Sequence, residues 1–187
     1  ATTVRTGGGV FDAWTTDKQS LQSFSDENGP RQPELVTSET TLHALNLQHV
    51  GDIVISGGLL TVDKNLLVDA QSGKVLTQSA SLRSTGSGDL SIAGDKVAID
   101  ASRIDASSDQ GAGGSVHIKA VDLAVSASAL DANGLSKGGT ISLAGNSSVA
   151  VSADVIATGL SRGAKGGQVE ISAPATQISA ARVDASG

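Results

Sequence analysis

The chain has 187 residues, a formal net charge of -6, no cysteine, and only 2% aromatic residues. The negative charge argues against binding to nucleic acid or to an anionic membrane surface, because both favour a basic face, and the absence of cysteine excludes a disulfide framework and a thiolate metal site. No apolar run approaches the length of about 18 to 20 residues that crosses a bilayer, and the first residues lack the basic and apolar regions of a secretory signal.

Residues 1–50 differ in composition from the rest of the chain, and we predict that they form a separate, non-repeat segment. They contain every aromatic residue of the chain and two of its three prolines. Towards the end of the segment Leu45 and Leu47 alternate with polar residues, which favours a strand over a helix. The segment either caps the apolar end that a stacked-repeat structure otherwise exposes, or it forms a binding element of its own.

The aromatic residues of this segment are candidates for sugar binding, because sugar rings commonly stack on aromatic side chains. Trp14 is the best candidate, and Phe11 lies three residues before it. Asp12 and Asp17 would accept hydrogen bonds from sugar hydroxyls. The competing interpretation makes Trp14 a packed residue of the cap.

Residues 51–187 are repetitive, most clearly from residue 86. Glycine pairs open successive copies at Gly113, Gly138 and Gly166, which are 25 and then 28 residues apart, and the copies end in Asp-Ala or a near variant. Within a copy, large apolar residues alternate with small or polar ones in three short runs, which is the pattern of β-strands. The few residues between runs leave no room for a crossover helix. Periods of this length indicate stacked structural units.

We therefore predict an all-β fold, a right-handed parallel β-helix with three short strands in each coil of about 26 residues. Roughly five coils stacked about 4.8 Å apart would give a rod about 24 Å long. Equivalent inward residues should stack in columns. The three predicted columns are Ile99, Val125, Val151 and Ile178; Ala101, Ala127, Ala153 and Ala180; and Ile104, Leu130, Ile156 and Val183. The glycine pairs are expected at tight bends that require a positive φ.

Each copy also carries a recognisable motif, a glycine pair followed by two β-branched or leucine residues. The matching positions are Gly113-Gly114 with Val116 and Ile118, Gly138-Gly139 with Ile141 and Leu143, and Gly166-Gly167 with Val169 and Ile171. The matching endings are Ile104-Asp105-Ala106-Ser107, Leu130-Asp131-Ala132-Asn133-Gly134 and Val183-Asp184-Ala185-Ser186-Gly187. Over roughly residues 86–187 the chain resembles the repeats of filamentous-haemagglutinin-like exoproteins, the large adhesins that Gram-negative bacteria export by two-partner secretion.

This resemblance implies a right-handed parallel β-helix at the cell surface that contributes to adhesion, aggregation or biofilm. It also implies an outer-membrane transporter as a partner of the parent protein. The Asn-Pro-rich secretion motif of such exoproteins is missing, so the chain is expected to be an internal fragment of a longer protein.

Asp105 and Asp131 are predicted to occupy one column in neighbouring coils, with Ala157 next and Asp184 beyond it. Parallel β-helix enzymes that act on acidic polysaccharides use clustered carboxylates as acids, bases or calcium ligands. The alternative is that these aspartates lie at an exposed, solvated turn, near the arginines two positions before Asp105 and Asp184. The break at Ala157 and the lack of aromatic residues in the repeat favour this alternative, so no catalytic residue is predicted.

No metal, cofactor or phosphate site is predicted. His43 and His49 lack a carboxylate at ligand spacing, and His117 lies in an outward-facing column, so all three are expected to be surface residues. The glycine pairs lack the Lys-Ser/Thr ending and the following helix of a phosphate loop. They also lack the aspartates of calcium-binding nonapeptide repeats.

Three functions remain open. We favour a non-enzymatic adhesive rod, secreted or on the surface of a Gram-negative bacterium, whose faces meet a glycan, a matrix polysaccharide, a host surface or another copy of itself. The second is a β-helical carbohydrate-active enzyme of the polysaccharide lyase or hydrolase type, or a remnant of one. The third, an ice-binding solenoid, needs a regular threonine array that the mixed outward columns do not supply. Neither nucleic-acid binding nor membrane insertion is expected.

Overall fold

A computed structural model describes most of the chain. The backbone is described over residues 2–6, 10–15, 25–26, 29–30, 34–37, 41–48, 52–56, 59–62, 65–85, 87–179 and 182–187. Side chains are described within residues 52–55, 59, 61–62, 65–85, 87–179 and 182–187. Every helix or strand in these ranges is a strand, so the predicted all-β fold is confirmed.

The strands fall into an N-terminal group and a repetitive group. The first group consists of β1 (Thr2–Thr6), β2 (Val10–Thr15), β3 (Ser25–Asp26), β4 (Gly29–Pro30), β5 (Glu34–Thr37) and β6 (Thr41–Gln48). The second begins with β7 (Ile53–Ser56), β8 (Leu59–Val62), β9 (Leu66–Asp69), β10 (Lys74–Gln78), β11 (Ser81–Ser84) and β12 (Asp89–Asp100). It continues with β13 (Arg103–Asp105), β14 (Ser115–Asp131), β15 (Thr140–Ile156), β16 (Gln168–Ser172), β17 (Ala175–Ile178) and β18 (Val183–Asp184).

The repetitive strands wind into a parallel β-helix with three sides, as the sequence predicted. The first side stacks β9, the starts of β12, β14 and β15, and β16. The second stacks β7, β10, later parts of the same long strands, and β17. The third stacks β8, β11, β13, the ends of β14 and β15, and β18. Contacts between neighbouring coils span 22 residues in the earlier coils and 26 in later ones.

The first predicted column is confirmed. Ile99 pairs with Val125, Val125 with Val151, and Val151 with Ile178. The first three side chains are each 1% exposed, whereas Ile178 is 50% exposed, since in the described part of the chain β17 has a paired strand on one side only. Thr77 precedes Ile99 in the same column and is fully buried.

The third predicted column is wrong at one position. Leu130 pairs with Val155, and Val155 pairs with Val183, so Val155 and not Ile156 occupies the interior. The cause is a shorter corner between the second and third sides in β15, which contains one residue fewer than the corner in β14. The missing residue shifts everything after it by one position.

The predicted inward alanine column is also wrong. Ala101 and Ala127 are exposed, and their φ angles of 45° and 48° place them in the left-handed region. They form the corner between the second and third sides, so their side chains do not point into the core. Ala153, at the shortened corner, is 4% exposed, and Ala180 lies outside the described residues.

The glycine pairs serve a different purpose from the one predicted, because among the described glycines only Gly163 has a positive φ. A Cβ atom on Gly139 would lie 2.0 Å from the carbonyl oxygen of Gly114 in the preceding coil, and one on Gly114 would lie 2.1 Å from that of Gly88. Such distances are far inside van der Waals contact. Glycine is therefore needed because neighbouring coils approach closely here, not because the backbone bends unusually.

Strands before residue 51 join the first coils. The predicted strand around Leu45 and Leu47 is confirmed as β6, which pairs in parallel with β8 and β9 and antiparallel with β2. Strand β1 pairs antiparallel with β5 and β7. The division at residue 50 and the cap role remain predictions. Within the described ranges no helix has the length and apolar character to span a membrane.

Candidate functional site: a corner groove and an Arg–Asp cluster

An open groove runs along the corner between the second and third sides. It is shallow and open to solvent, with a volume of about 580 Å³. Its lining comes from three stacked corners: Ser79, Ala80, Ser81, Ala101, Ser102, Arg103, Ala127, Ser128 and Ala129. We call this feature the corner groove. Because the lining comes from equivalent corners of stacked coils, the groove follows the axis of the solenoid.

The corner groove is lined by residues of unusual backbone conformation and by serine side chains. Ser79, Ala101 and Ala127 have left-handed φ angles of 51°, 45° and 48°. The Ser102 hydroxyl accepts a hydrogen bond from the Ala80 amide, and the Ser128 hydroxyl accepts one from the Ser102 amide. Left-handed non-glycine residues are costly and occur where the surroundings enforce them, often at binding sites. The serine bonds between coils supply that enforcement here.

A cluster of two arginines and two aspartates borders the corner groove on the third side. We call Arg83, Arg103, Asp105 and Asp131 the Arg–Asp cluster. Arg83 of β11 pairs with Asp105 of β13, and Asp105 pairs with Asp131 at the end of β14, so these three residues form one column. Arg103 lies two positions before Asp105 on β13, and it belongs to both the cluster and the groove lining.

The carboxylates of the cluster are buried and paired. The Arg103 Nη2 atom lies 2.8 Å from Asp131 Oδ2, and Arg103 Nε lies 3.6 Å from Asp105 Oδ2. Arg83 Nε is 3.9 Å from the same oxygen of Asp105. The side chains of Asp131 and Asp105 are only 7% and 10% exposed, whereas the Arg103 side chain is 55% exposed. The cluster therefore presents a guanidinium group to solvent and keeps its carboxylates beneath.

Burial raises the pKa of Asp131 above its ordinary value of 3.8. The Arg103 guanidinium opposes this rise, while the negative charges of Asp105 and Asp154 add to it. A perturbed carboxyl is a candidate catalytic acid in some sites, but structural ion-pair networks perturb pKa values as well. For Asp131 the access that an acid needs is limited by burial and by Arg103.

The Asp-Ala-Ser endings of the repeats have a local structural role. Asp105 Oδ1 accepts a hydrogen bond of 2.9 Å from the Ser107 amide, and Asp184 Oδ1 accepts one of 3.0 Å from the Ser186 amide. Each bond closes an Asx turn, the short local bond that aspartate favours at chain reversals. It also lowers the pKa of Asp184, together with a 2.9 Å bond from Arg182.

The sequence predictions for the aspartates are partly confirmed. Asp105 and Asp131 do occupy neighbouring positions in one column. The next position belongs to Ile156 and not to Ala157, because of the shortened corner, and Asp184 follows it. The expected exposed, solvated turn is wrong for Asp105 and Asp131, which as whole residues are 7% and 5% exposed. Arg83 and Arg103, both on the third side, form ion pairs with these carboxylates.

Arg83 was missed as a member of the cluster, although the sequence contained a signal for it. Leu82 pairs with Ile104 and extends the predicted column of Ile104 back by one coil, which puts the next residue, Arg83, opposite Asp105. The nearby arginines predicted for Asp105 and Asp184 are confirmed as Arg103 and Arg182.

The predicted sugar-binding residues of the N-terminal segment cannot be placed as side chains. Phe11, Asp12 and Trp14 belong to the backbone of β2, which pairs with β6, but their side chains lie outside the described residues. Asp17 lies outside the described residues altogether. They remain predictions.

The predicted surface histidines are described only in part. His117 is exposed on the first side, as expected. His43 lies in the backbone of β6, and His49 is outside the described residues. In the described part of the chain no three His, Asp or Glu side chains lie close enough together to hold a metal ion.

Comparison of the chain with protein-family models, curated proteins and solved structures finds no match to any of them.

Proposed function

We propose that this chain is a β-helical segment of a secreted or surface-attached bacterial adhesin that binds without catalysing a reaction. The observation that carries the proposal is the corner groove, an open groove along the solenoid axis that is lined by serines, alanines and the exposed side chain of Arg103. The Ser79 and Ser81 hydroxyls and the Arg103 guanidinium, which line this groove, suit an extended, hydroxyl-rich or acidic glycan. The resemblance of the repeats to filamentous-haemagglutinin-like exoproteins supports the same reading.

The partners proposed with this function follow from the same resemblance. They are a glycan, a matrix polysaccharide or a host surface, with self-association as a further contribution to aggregation or biofilm. The parent protein would reach the surface of a Gram-negative bacterium through an outer-membrane transporter.

A glycan array with two matched variants tests the proposal. Ala129→Trp places a large side chain in the corner groove, while Ala144→Trp adds the same side chain to the first side, away from the groove. We expect Ala129→Trp to weaken glycan binding at least tenfold and Ala144→Trp to leave it unchanged, both with near wild-type thermal midpoints. Equal binding by both variants would move the site elsewhere. A wild-type chain that binds no glycan, no matrix polymer and no other copy of itself would refute the adhesive function.

The alternative, a carbohydrate-active enzyme, is favoured by one observation, the raised pKa of Asp131 beside a second carboxylate. Incubation with polygalacturonate and with alginate tests it. We expect no release of oligosaccharides by the wild-type chain. Turnover that disappears in folded Asp105→Asn and Asp131→Asn variants would establish the enzyme.

A further inference from the structure

The loops that connect the third side to the first stack into a ridge along the solenoid. The three loops are residues 106–114, 132–139 and 157–167, and we call them together the loop ridge. Hydrogen bonds join them coil to coil: the Leu135 amide donates to the Ser108 carbonyl, and the Leu160 amide donates to the Gly134 carbonyl. The ridge is therefore an ordered surface of the solenoid.

Two leucines of the loop ridge are exposed side by side. Gly134 pairs with Gly159, which places the residues that follow, Leu135 and Leu160, in one column about 4.8 Å apart. Leu135 is 43% exposed and Leu160 is 60% exposed, whereas the leucines of the core are at most 2% exposed. Both leucines therefore leave much of their apolar surface in water, so burial in the core does not account for this apolar pair.

Three cations lie in the same two loops as the leucines. Lys137 pairs directly with Lys165, and Arg162 lies between Leu160 and Lys165. All three are exposed, and none has a carboxylate of the described residues within 4.0 Å. Like charges directly opposite each other on neighbouring strands are destabilising. The lysine pair therefore costs stability unless an anion lies against it.

The local charge of the ridge is opposite to that of the chain. The two later loops carry three cations and no carboxylate, and Asp109 is the only carboxylate in the three loops. The whole chain, by contrast, has a net charge of -6. The net charge that argued against an anionic membrane surface thus does not describe this patch.

We propose that the loop ridge docks the solenoid onto an anionic lipid bilayer. Leu135 and Leu160 would enter the boundary between headgroups and acyl chains, while Lys137, Arg162 and Lys165 lie at the lipid phosphates. Adjacent apolar and cationic side chains are the combination that holds a protein at a membrane surface. A purely anionic polymer would use the cations and leave the leucines in water. The docking goes beyond the proposed adhesive function and does not depend on the corner groove.

Co-sedimentation with vesicles tests the proposal. We expect binding to vesicles of phosphatidylcholine and phosphatidylglycerol in equal parts, and none to phosphatidylcholine alone. The Lys137→Gln, Lys165→Gln double variant should bind roughly twenty-five-fold more weakly, since each of the two cations near an anionic surface contributes about fivefold. The Leu135→Ser, Leu160→Ser double variant should bind roughly tenfold more weakly through loss of apolar contact. All four side chains are exposed, so neither double variant should lower the thermal midpoint, and loss of the lysine repulsion should raise it slightly.

The chain offers a control and a gain-of-function variant. Lys119→Gln with Val121→Ser removes one exposed cation and one partly exposed apolar residue outside the ridge, and binding should not change. In the first loop of the ridge Asp109 and Ala112 occupy the positions of the leucines and lysines. Asp109→Leu with Ala112→Lys extends the pattern to a third coil and should tighten binding about tenfold.

Two results would overturn the docking. One is no binding to the anionic vesicles. The other is binding that the lysine variant loses but the leucine variant retains, together with equal binding to dextran sulfate, which would make the ridge a site for soluble polyanions. Either result can coexist with intact glycan binding at the corner groove, so a failure of the docking is distinguishable from a failure of the adhesive function.

Discussion

Replacing one glycine of the repeat tests whether close approach between coils, and not backbone conformation, determines the glycine positions. In Gly139→Ala the new Cβ would lie 2.0 Å from the Gly114 carbonyl oxygen, 2.8 Å from the Gly113 carbonyl carbon and 3.0 Å from the Ala132 carbonyl oxygen. All three neighbours are backbone atoms, so no side chain can turn away. The Gly114 carbonyl oxygen also accepts a hydrogen bond of 3.1 Å from the Thr140 amide. This bond holds Gly114 against the coil that contains Gly139.

The size of the effect follows from this geometry. To restore ordinary contact, the two coils would have to separate by more than an ångström at this point, or the strand start would have to shift. Overpacking of this kind costs about 1–3 kcal/mol, and we expect the upper end because rigid backbone is involved. For a chain of this size about 3 kcal/mol corresponds to a decrease in thermal midpoint of about 6–12 °C.

Thermal unfolding followed by far-ultraviolet circular dichroism measures the effect, and Gly111→Ala is the matched control. Gly111 lies in the same stack of loops, yet a Cβ there would meet nothing within 4 Å, so this substitution should leave the midpoint unchanged or raise it slightly. Since each coil of a solenoid contacts only its neighbours, limited proteolysis of Gly139→Ala should cut first near the loops around residue 139. An unchanged midpoint in Gly139→Ala, or equal damage in Gly111→Ala, would refute the close-approach argument.

Two further predictions concern the interior column and the buried carboxylate. Val125→Asp should prevent folding, because an unpaired carboxylate would be buried at a position that is 1% exposed. The control variant Ala124→Asp, at the neighbouring exposed position, should fold. A folded Val125→Asp chain would contradict the register. In the same column the Thr77 hydroxyl is buried without a hydrogen-bond partner, so Thr77→Val should raise stability by about 1 kcal/mol, and a lower midpoint would refute this. Because the pKa of Asp131 is raised, its contribution to folding stability is greatest below its ordinary pKa of 3.8 and is lost as the pH rises through the raised pKa. Because the pKa of Asp184 is lowered, its contribution to folding stability is present above pH 3.8 and is lost as the pH falls through the lowered pKa. The midpoint of Asp131→Asn relative to wild type should therefore increase with rising pH, and that of Asp184→Asn should decrease; slopes of the same sign would contradict one or both assignments.

The strand interiors of this fold were predictable from the sequence, and its corners were not. Alternation identified the column of Ile99, Val125 and Val151 because a residue that slips by one position in a strand moves to the opposite face. A corner imposes no such alternation. The left-handed Ala101 and Ala127 carry no sequence mark, since alanine has no special preference for that conformation.

The single error of register also arose at a corner. The shortened corner at Ala153 moved Val155 into the interior and Ile156 outward. Both residues are β-branched and apolar, so the pattern of residue types could not distinguish the two registers. Only the pairing of Val155 with Leu130 and Val183 decides between them.

The repeated residues of this chain explain the fold and leave little to be explained by function. The glycine pairs permit neighbouring coils to approach, and the aspartates of the Asp-Ala-Ser endings close Asx turns. Ala106 and Ala132, which follow Asp105 and Asp131, are fully buried. Each would be required in any solenoid with these coils, whatever it binds. Residues that the repeat does not require are therefore the better guide to binding. Arg103, exposed above buried carboxylates, and the paired leucines and lysines of the loop ridge are such residues.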